Sequence, residues 1–376
     1  MRSYRTFFSI LGLSLLTLTL LSSVASFSFM KSAQFGKAPS GARLERIKRS
    51  PHYQDGQFQN LHPTPTFAPD YSLVKGIYEV MIKHNPRKTP VDVLPSLKTD
   101  LKALPPERNM LVWFGHSSYF LQLDGKRFLV DPVFSGSASP FPGSVRAFKG
   151  TDVYTVDDLP PIDYLLISHD YFDHLDYKTV LALQPTVKQV ICGLGVGEHF
   201  EHWGYAARQI SELDWDETLR LAGGFTLHAV IARHGSGRTL KSNNTLWVSF
   251  VLEAPSGKFF LGGDSGYDTH FAQIGQQYGP FDLAILENGQ YDVAIPYIHM
   301  QPEETLRAAR ELGAKRLLPV HSAKFVLNRH PWDEPLVRLS KLAADGQFPL
   351  LTPQIGQPVD LTTYDQVFSH WWEGVN

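Results

Sequence analysis

The sequence predicts an α/β (α+β) fold in which packed β-sheets carry helices on their outer faces. Three observations predict it. From about residue 107 onward, short segments rich in Val, Ile, Leu and Phe recur between turn residues, as buried strands do. Helical patterns are interleaved with the later segments. Strands bunched first and then mixed with helices favour stacked sheets covered by helices. A chain of 376 residues is long enough to bury a sizeable core.

Taken in order, residues 1–30 differ in kind from the rest. Arg2 and Arg5 precede an uncharged run from Thr6 to Met30, and a bilayer span needs only about 20 apolar residues. Ser23-Val24-Ala25 resembles the cleavage site of an export signal. The segment is therefore expected to be a signal peptide or a transmembrane anchor. It places the protein at a membrane or in the cell envelope or periplasm, associated with the membrane through its N-terminus. The side stays open, because Lys31, Lys37, Arg43, Arg46, Lys48 and Arg49 follow the apolar run. Residues 31–106, rich in Pro, Lys, Arg and Asn, read as a linker and extended arm with one short helix near Tyr71–His84.

Residues 107–376 are expected to form the folded domain. "NMLVWFG", "SYFLQL" and "KRFLVDP" read as successive strands, with Asp124-Gly125 as a hairpin turn between the last two. Then come "DYLLIS", "KQVICG", "FTLHAVIARH", "TLWVSFVLEA", "KFFLGGD", "FDLAILE" and "KRLLPVH". Helical patterns are "YKTVLALQ", "YDTHFAQIGQQYG", "PEETLRAARELG" and "DEPLVRLSKLAA". The third opens on Pro302 with two acids behind it and closes on Gly313, as helix start and stop signals require.

A formal net charge of −2 gives no electrostatic footprint for nucleic acid. The oligomeric state is not written in the sequence. The one cysteine, Cys192 in "VKQVICGLG", cannot form an internal disulfide and reads as a small buried hydrophobe. With 15 histidines available, a metal site would be built from His and carboxylates, which suits zinc, iron or manganese.

Candidate ligands sit where apolar strand runs end. "DYLLIS" leads into "SHDYFDHLD" with His169, Asp173 and His174; "LHAVIAR" leads to His234, "KFFLGG" to Asp264, and "RLLPV" to His321. Loops at strand ends can be polar because the scaffold beneath is rigid. A lone histidine there is ordinarily just a solvated residue, so the weight lies in the set.

These stretches resemble the metallo-β-lactamase superfamily, and more closely its N-acylphosphatidylethanolamine-hydrolysing phospholipase D branch. The resemblance runs from about Val112 to Leu350, through "WFGHSSYFLQLDGKRFLVDPVFSGSASP", "LPPIDYLLISHDYFDHLDY", "FLGGDSGYDTHFAQIGQQYGPFDLAIL", "HMQPEETLRAA" and "LLPVHSAKF". It implies a four-layer αββα sandwich. It also implies a first metal held by His169 and His234 and a second held by Asp173, His174 and His321, with Asp264 bridging. His299 matches a histidine that lines the active site near the substrate. His116 and Ser117 match no ligand and read as structural.

Tyr171 departs from the family, which has a metal-binding histidine there. A phenol must lose a proton of pKa about 10 to bind well, so Tyr171 reads either as a direct ligand or as a filler of the lost ligand's space. The first site is left with His169, His234 and Asp264, and is expected to be weaker and to fill after the second. One or two zinc ions are expected, with iron or manganese as alternatives. The implied activity is a metal-dependent hydrolase, a phosphodiesterase acting on N-acylphosphatidylethanolamine-type phospholipids through a metal-activated hydroxide. Asp173 and His299 are the expected catalytic residues, on a lipid or other small-molecule substrate. Two alternatives stand beside it: an iron-containing redox enzyme of the same fold, and a non-catalytic envelope protein with a degenerate site.

Overall fold

The computed structural model describes residues 16–19, 21–24, 26–65, 67–69, 71–72, 74, 78 and 86–376. Residues 6–15, 20 and 25 of the apolar run Thr6–Met30 lie outside these, as does the helix expected near Tyr71–His84 except for residues 71, 72, 74 and 78. Residues 16–19, 21–24 and 26–30 are helical. Among the described residues no helix is long and apolar enough to cross a membrane.

Two sheets form the centre. The first has seven strands in the order β15-β3-β4-β5-β6-β7-β8. These are β15 (Pro358–Asp360), β3 (Met110–Trp113), β4 (Tyr119–Leu123), β5 (Lys126–Val130), β6 (Ile162–Ile167), β7 (Val187–Gly193) and β8 (Ile210–Leu213). The second has six in the order β14-β13-β12-β11-β10-β9. These are β14 (Leu317–Val320), β13 (Leu283–Glu287), β12 (Gly257–Leu261), β11 (Ser249–Ala254), β10 (Thr226–Val230) and β9 (Thr218–Arg220). Each sheet is antiparallel in its first part and parallel afterwards: β5 through β8 in one, β12 through β14 in the other. The β4–β5 hairpin turns at Asp124 and Gly125, both at positive φ, as a two-residue turn of that hand demands.

Alternation along the strands builds the layers. Leu111, Trp113, Leu121, Phe128 and Leu166 meet Leu227, Phe250, Leu252, Leu261 and Ile285 between the sheets. The opposite faces are also apolar. Phe120, Leu129 and Leu165 pack on the helices Tyr177–Leu183 and Gly197–His202. Val251, Phe260 and Leu286 pack on His270–Tyr278, Pro302–Glu311 and Glu334–Asp345. The result is helix, sheet, sheet, helix, with strands buried on both faces, which is why they read as continuous apolar runs.

The segment read from sequence as linker and arm runs closely over this body from residue 33 to 65. It carries a helix at Gly41–Ile47 and a small hairpin, β1 (Tyr53–Gln54) with β2 (Gln57–Phe58). Ile47 and Phe58 are fully buried in the core between the sheets. Arg43 reaches Glu198, Glu201 and Glu212, each at 2.7 Å, and Arg46 reaches Glu217. The basic stretch "RLERIKR" thus spends these two arginines on the protein's own acids. At the other end Trp371 packs against Trp113 and Trp332, with Trp372 buried beside it, so the tail is docked on the body.

Candidate metal centre

The parallel strands of both sheets end on the same rim, and the candidate ligands stand there. After β6, the chain delivers Ser168 through His174. After β12, Gly262 and Gly263 lead to Asp264. After β14, His321 follows at once, and His234 lies four residues beyond β10. Gly263 has φ +58°, and a Cβ on it would stand 2.7 Å from Ser168 Cβ, so only glycine lets the Asp264 loop approach the His169 loop this closely. His116, Asp131 and His321 also adopt positive φ, strained backbone that clusters where a site needs it.

All the sequence-predicted ligands come together. Asp264 Oδ2 lies 3.1 Å from His174 Nε2, 3.7 Å from His234 Nε2 and 4.0 Å from His169 Nε2. Its Oδ1 is 3.2 Å from His321 Nδ1, and Asp173 Oδ2 is 3.3 Å from His174 Nε2. These six side chains are buried. Among the described residues, Nε2 of His169, His174 and His234 and Oδ1 of Asp264 have no hydrogen-bond partner. An unpaired buried polar atom costs about 1–3 kcal/mol. Several such atoms aimed at one point are a cradle for a cation, and the imidazole and carboxylate donors are those a divalent transition metal takes.

The opposite ring nitrogens are pinned. His174 Nδ1 donates to Asp131 Oδ2 at 2.8 Å, and the same carboxylate accepts from Ser168 N and Ser168 Oγ. His234 Nδ1 donates to the Ile298 carbonyl at 3.0 Å, and His169 Nδ1 meets Ser168 Oγ at 3.0 Å. Such bonds fix tautomer and ring direction and raise ligand basicity. His116, read from sequence as structural, holds Asp173 Oδ2 at 2.9 Å, and Ser117 Oγ holds His321 Nδ1 at 2.9 Å.

Electrostatics agree with a place for positive charge. Burial works against the ionised form of Asp264, but His174 and His321 hold its carboxyl well below the usual range. Burial likewise opposes charge on His174, yet Asp264 and Asp173 raise its pKa well above the ordinary value. Burial and the nearby His174 depress His169, and burial lowers His234 to about 4.

Tyr171 packs against two ligands, His169 and His234, whose rings are themselves 4.7 Å apart. Its ring is edge-on to His169, with centroids 4.9 Å apart, and to His234 at 5.4 Å. Its hydroxyl lies against Gly235, where a Cβ would come within 3.1 Å of it. Burial, then Asp170, raises the phenol's pKa, which keeps it protonated.

Three groups were not singled out from sequence. Asp131 ends the strand of "KRFLVDP" and reads there as an ordinary turn acid. Glu287 ends β13, is fully buried, and bonds His299 Nδ1 and Met300 N, each at 2.7 Å. Burial and the charge on Asp264 raise its pKa well above the usual carboxyl range. Asn60, from the arm, clasps His234 by donating to its carbonyl at 2.8 Å and accepting from its N–H at 3.0 Å. A cleft of about 510 Å³ opens beside the ligands rather than over them, sharing Phe172 and Asp176 with the motif. Phe141, Tyr177, Arg146 and Lys178 also line it.

A sandwich with His and Asp side chains gathered on the rim of both sheets is the frame of a metal-dependent enzyme, and the relatives make it a hydrolase. The family described as β-lactamase superfamily domain matches residues 126–322. An uncharacterized protein of Mycobacterium tuberculosis is 37% identical over 329 residues, covering 86% of this chain and 88% of that one. N-acyl-phosphatidylethanolamine-hydrolyzing phospholipase D 1 of Caenorhabditis elegans is 28% identical over 287 residues, covering 68% of this chain and 79% of that one. Igni18, a metallo hydrolase of Ignicoccus hospitalis, superposes with TM-score 0.51 at 19% identity over 67% of this chain and 97% of its own. The chain belongs to the metallo-β-lactamase superfamily. Within it, the protein falls in the branch that resembles N-acylphosphatidylethanolamine-hydrolysing phospholipase D.

Proposed function

We propose that the protein is a phosphodiesterase that cleaves N-acylphosphatidylethanolamine-type phospholipids at the cell envelope. The observation that carries the reading is the set of partnerless buried atoms on His169, His174, His234 and Asp264. His169 and His234 with Asp264 would hold one ion, and Asp173, His174 and His321 with Asp264 a second. Zinc suits these donors, with iron or manganese as alternatives. When bound, such an ion lowers the pKa of a water from near 16 toward about 7 and polarises the oxygen under attack.

The chain's own residues supply orientation. His116 fixes Asp173, whose carboxylate can then direct the attacking water along one line. Asp131 and Ser168 keep His174 turned inward. The buried surroundings keep bulk water from the ligands and strengthen each electrostatic contact.

The similarity to the C. elegans phospholipase supports a phospholipid substrate. So does the cleft, which offers Phe141, Phe172 and Tyr177 to acyl chains and Arg146 and Lys178 to a phosphate. Neither cation has a hydrogen-bond or ion-pair partner among the described residues. Phe29, from the helical residues 26–30, stacks on Phe141 at 5.3 Å, so the apolar N-terminal stretch leads to the lip of this cleft. Membrane association through the N-terminus would deliver lipid there.

The test is hydrolysis by metal-loaded protein of N-acylphosphatidylethanolamine in vesicles and of bis(p-nitrophenyl) phosphate. Wild type is expected to cleave the lipid, and Asp264→Asn to lose at least about 100-fold in rate. Loaded wild type that turns over neither substrate contradicts the proposal.

A further inference from the structure

Tyr171 removes an imidazole from the first metal position, and another imidazole stands beside the gap. We infer that His299 is a ligand of the first metal and restores the nitrogen that Tyr171 takes away. The inference rests on the metal-dependent reading above.

One ligand atom from each of His234, Asp264 and His299 lies within 4.8 Å of the others. The His234 and His299 rings are 5.1 Å apart. Atoms that share a tetrahedral zinc, each about 2.0–2.1 Å from it, stand about 3.3 Å apart. Closing the set therefore needs side-chain movement on the order of an ångström.

The mounting of the ring is that of a ligand. His299 Nδ1 meets Glu287 Oε2 at 2.7 Å, and the other carboxylate oxygen accepts Met300 N at 2.7 Å. Glu287 is itself fully buried at the end of β13. With Nδ1 committed to Glu287, Nε2 is the ring nitrogen left to face His234 and Asp264. His174 is held by Asp131 through the same kind of bond. A histidine that merely flanked the helix Pro302–Glu311 would need no buried carboxylate behind it.

Tyr171 leaves the position open to His299. Its ring packs against His169 and His234, whose own ring centroids are 4.7 Å apart, and its hydroxyl points toward Gly235. The exchange also crosses the sandwich: the lost donor belongs to the loop after β6 in one sheet, the new one to the loop after β13 in the other. First-metal donors then become His169, His234, His299 and Asp264. His299 as a ligand replaces the substrate-facing role that family resemblance implies for it.

The experiment counts metal. Full-length protein is equilibrated with buffered Zn²⁺, zinc per chain is measured by mass spectrometry, and affinities are measured by chelator competition. Folding is followed by circular dichroism. Wild type is expected to hold two equivalents. His299→Ala should keep one and bind the other at least about 100-fold more weakly, since even losing a ligand's supporting partner costs 10–100-fold. Tyr171→His combined with His299→Ala should regain two. Glu287→Gln, which leaves the ring but unpins it, should weaken the same equivalent about 10–100-fold. Unchanged affinity in His299→Ala or Glu287→Gln, a folded double variant still holding one zinc, or a wild type holding only one would each overturn the inference. Those results leave the hydrolase reading standing, whereas a wild type that binds no zinc and cleaves nothing removes both.

Discussion

Replacing Asp131 by Asn tests how much of the metal centre is built behind the ligands. Its carboxylate accepts three donors: His174 Nδ1 at 2.8 Å, Ser168 N at 2.8 Å and Ser168 Oγ at 2.5 Å. An amide has one oxygen for two positions. If that oxygen faces His174, the Ser168 N–H loses its partner, at a cost of about 1–3 kcal/mol for a buried donor. If it faces Ser168, the amide N–H meets His174 Nδ1, which can only accept in the other tautomer. That tautomer places a proton on Nε2, the atom with no partner. Either way His174 is a poorer ligand, and about 10–100-fold in metal affinity should be lost, or roughly 1.4–2.7 kcal/mol. Competition against a chromophoric chelator measures this. A folded Asp131→Asn protein that binds metal as tightly as wild type would refute the reasoning.

Three further outcomes follow from the geometry. Gly263→Ala introduces a Cβ 2.7 Å from Ser168 Cβ at φ +58°. It should cost at least about 1–2 kcal/mol in chemical unfolding and weaken metal binding by parting the two ligand loops; unaltered values on both counts would show that the approach is not tight. Burial lowers His270 from 6.5 to about 4. Between those pH values the unfolded chain holds a proton that the folded chain does not, so this contribution is complete above 6.5 and lost as pH falls toward 4. The span corresponds to about 3 kcal/mol, and urea unfolding of His270→Asn should show a correspondingly flatter pH profile; parallel profiles argue against it. Replacing Arg146 and Lys178 together by Gln should weaken sedimentation with anionic vesicles by about 30-fold, at about 1 kcal/mol per cation; equal binding would exclude the cleft from the membrane face.

Much of the fold was legible because its central strands are buried on both faces and read as apolar runs. Within the two large sheets the strands that escaped notice, β8, β9 and β15, are three of the four outer members. "ISEL", "TLR" and "PVD" are short and polar, as sheet edges tend to be. The arm at 33–58 was hidden for another reason. It is fixed by Arg43 on three glutamates, by two-residue strands and by single anchors such as Phe58, and none of these leaves a periodic trace.

The candidate ligands were legible as a group because each follows a strand. What supports them was not. Asp131 and Glu287 look like any acid at a strand end until the partner histidines come near. Asn60 lies 174 residues from the backbone it clasps. Tyr171 was visible as a departure, but only three-dimensional placement sets His299 beside the gap it leaves.

The most direct test of the account is anomalous diffraction at the zinc edge from crystals of the loaded protein. It should show two peaks about 3.5–4 Å apart, bounded by His169, Asp173, His174, His234, Asp264 and His321. Zinc found only at surface positions, with those six side chains closed on one another, would contradict it.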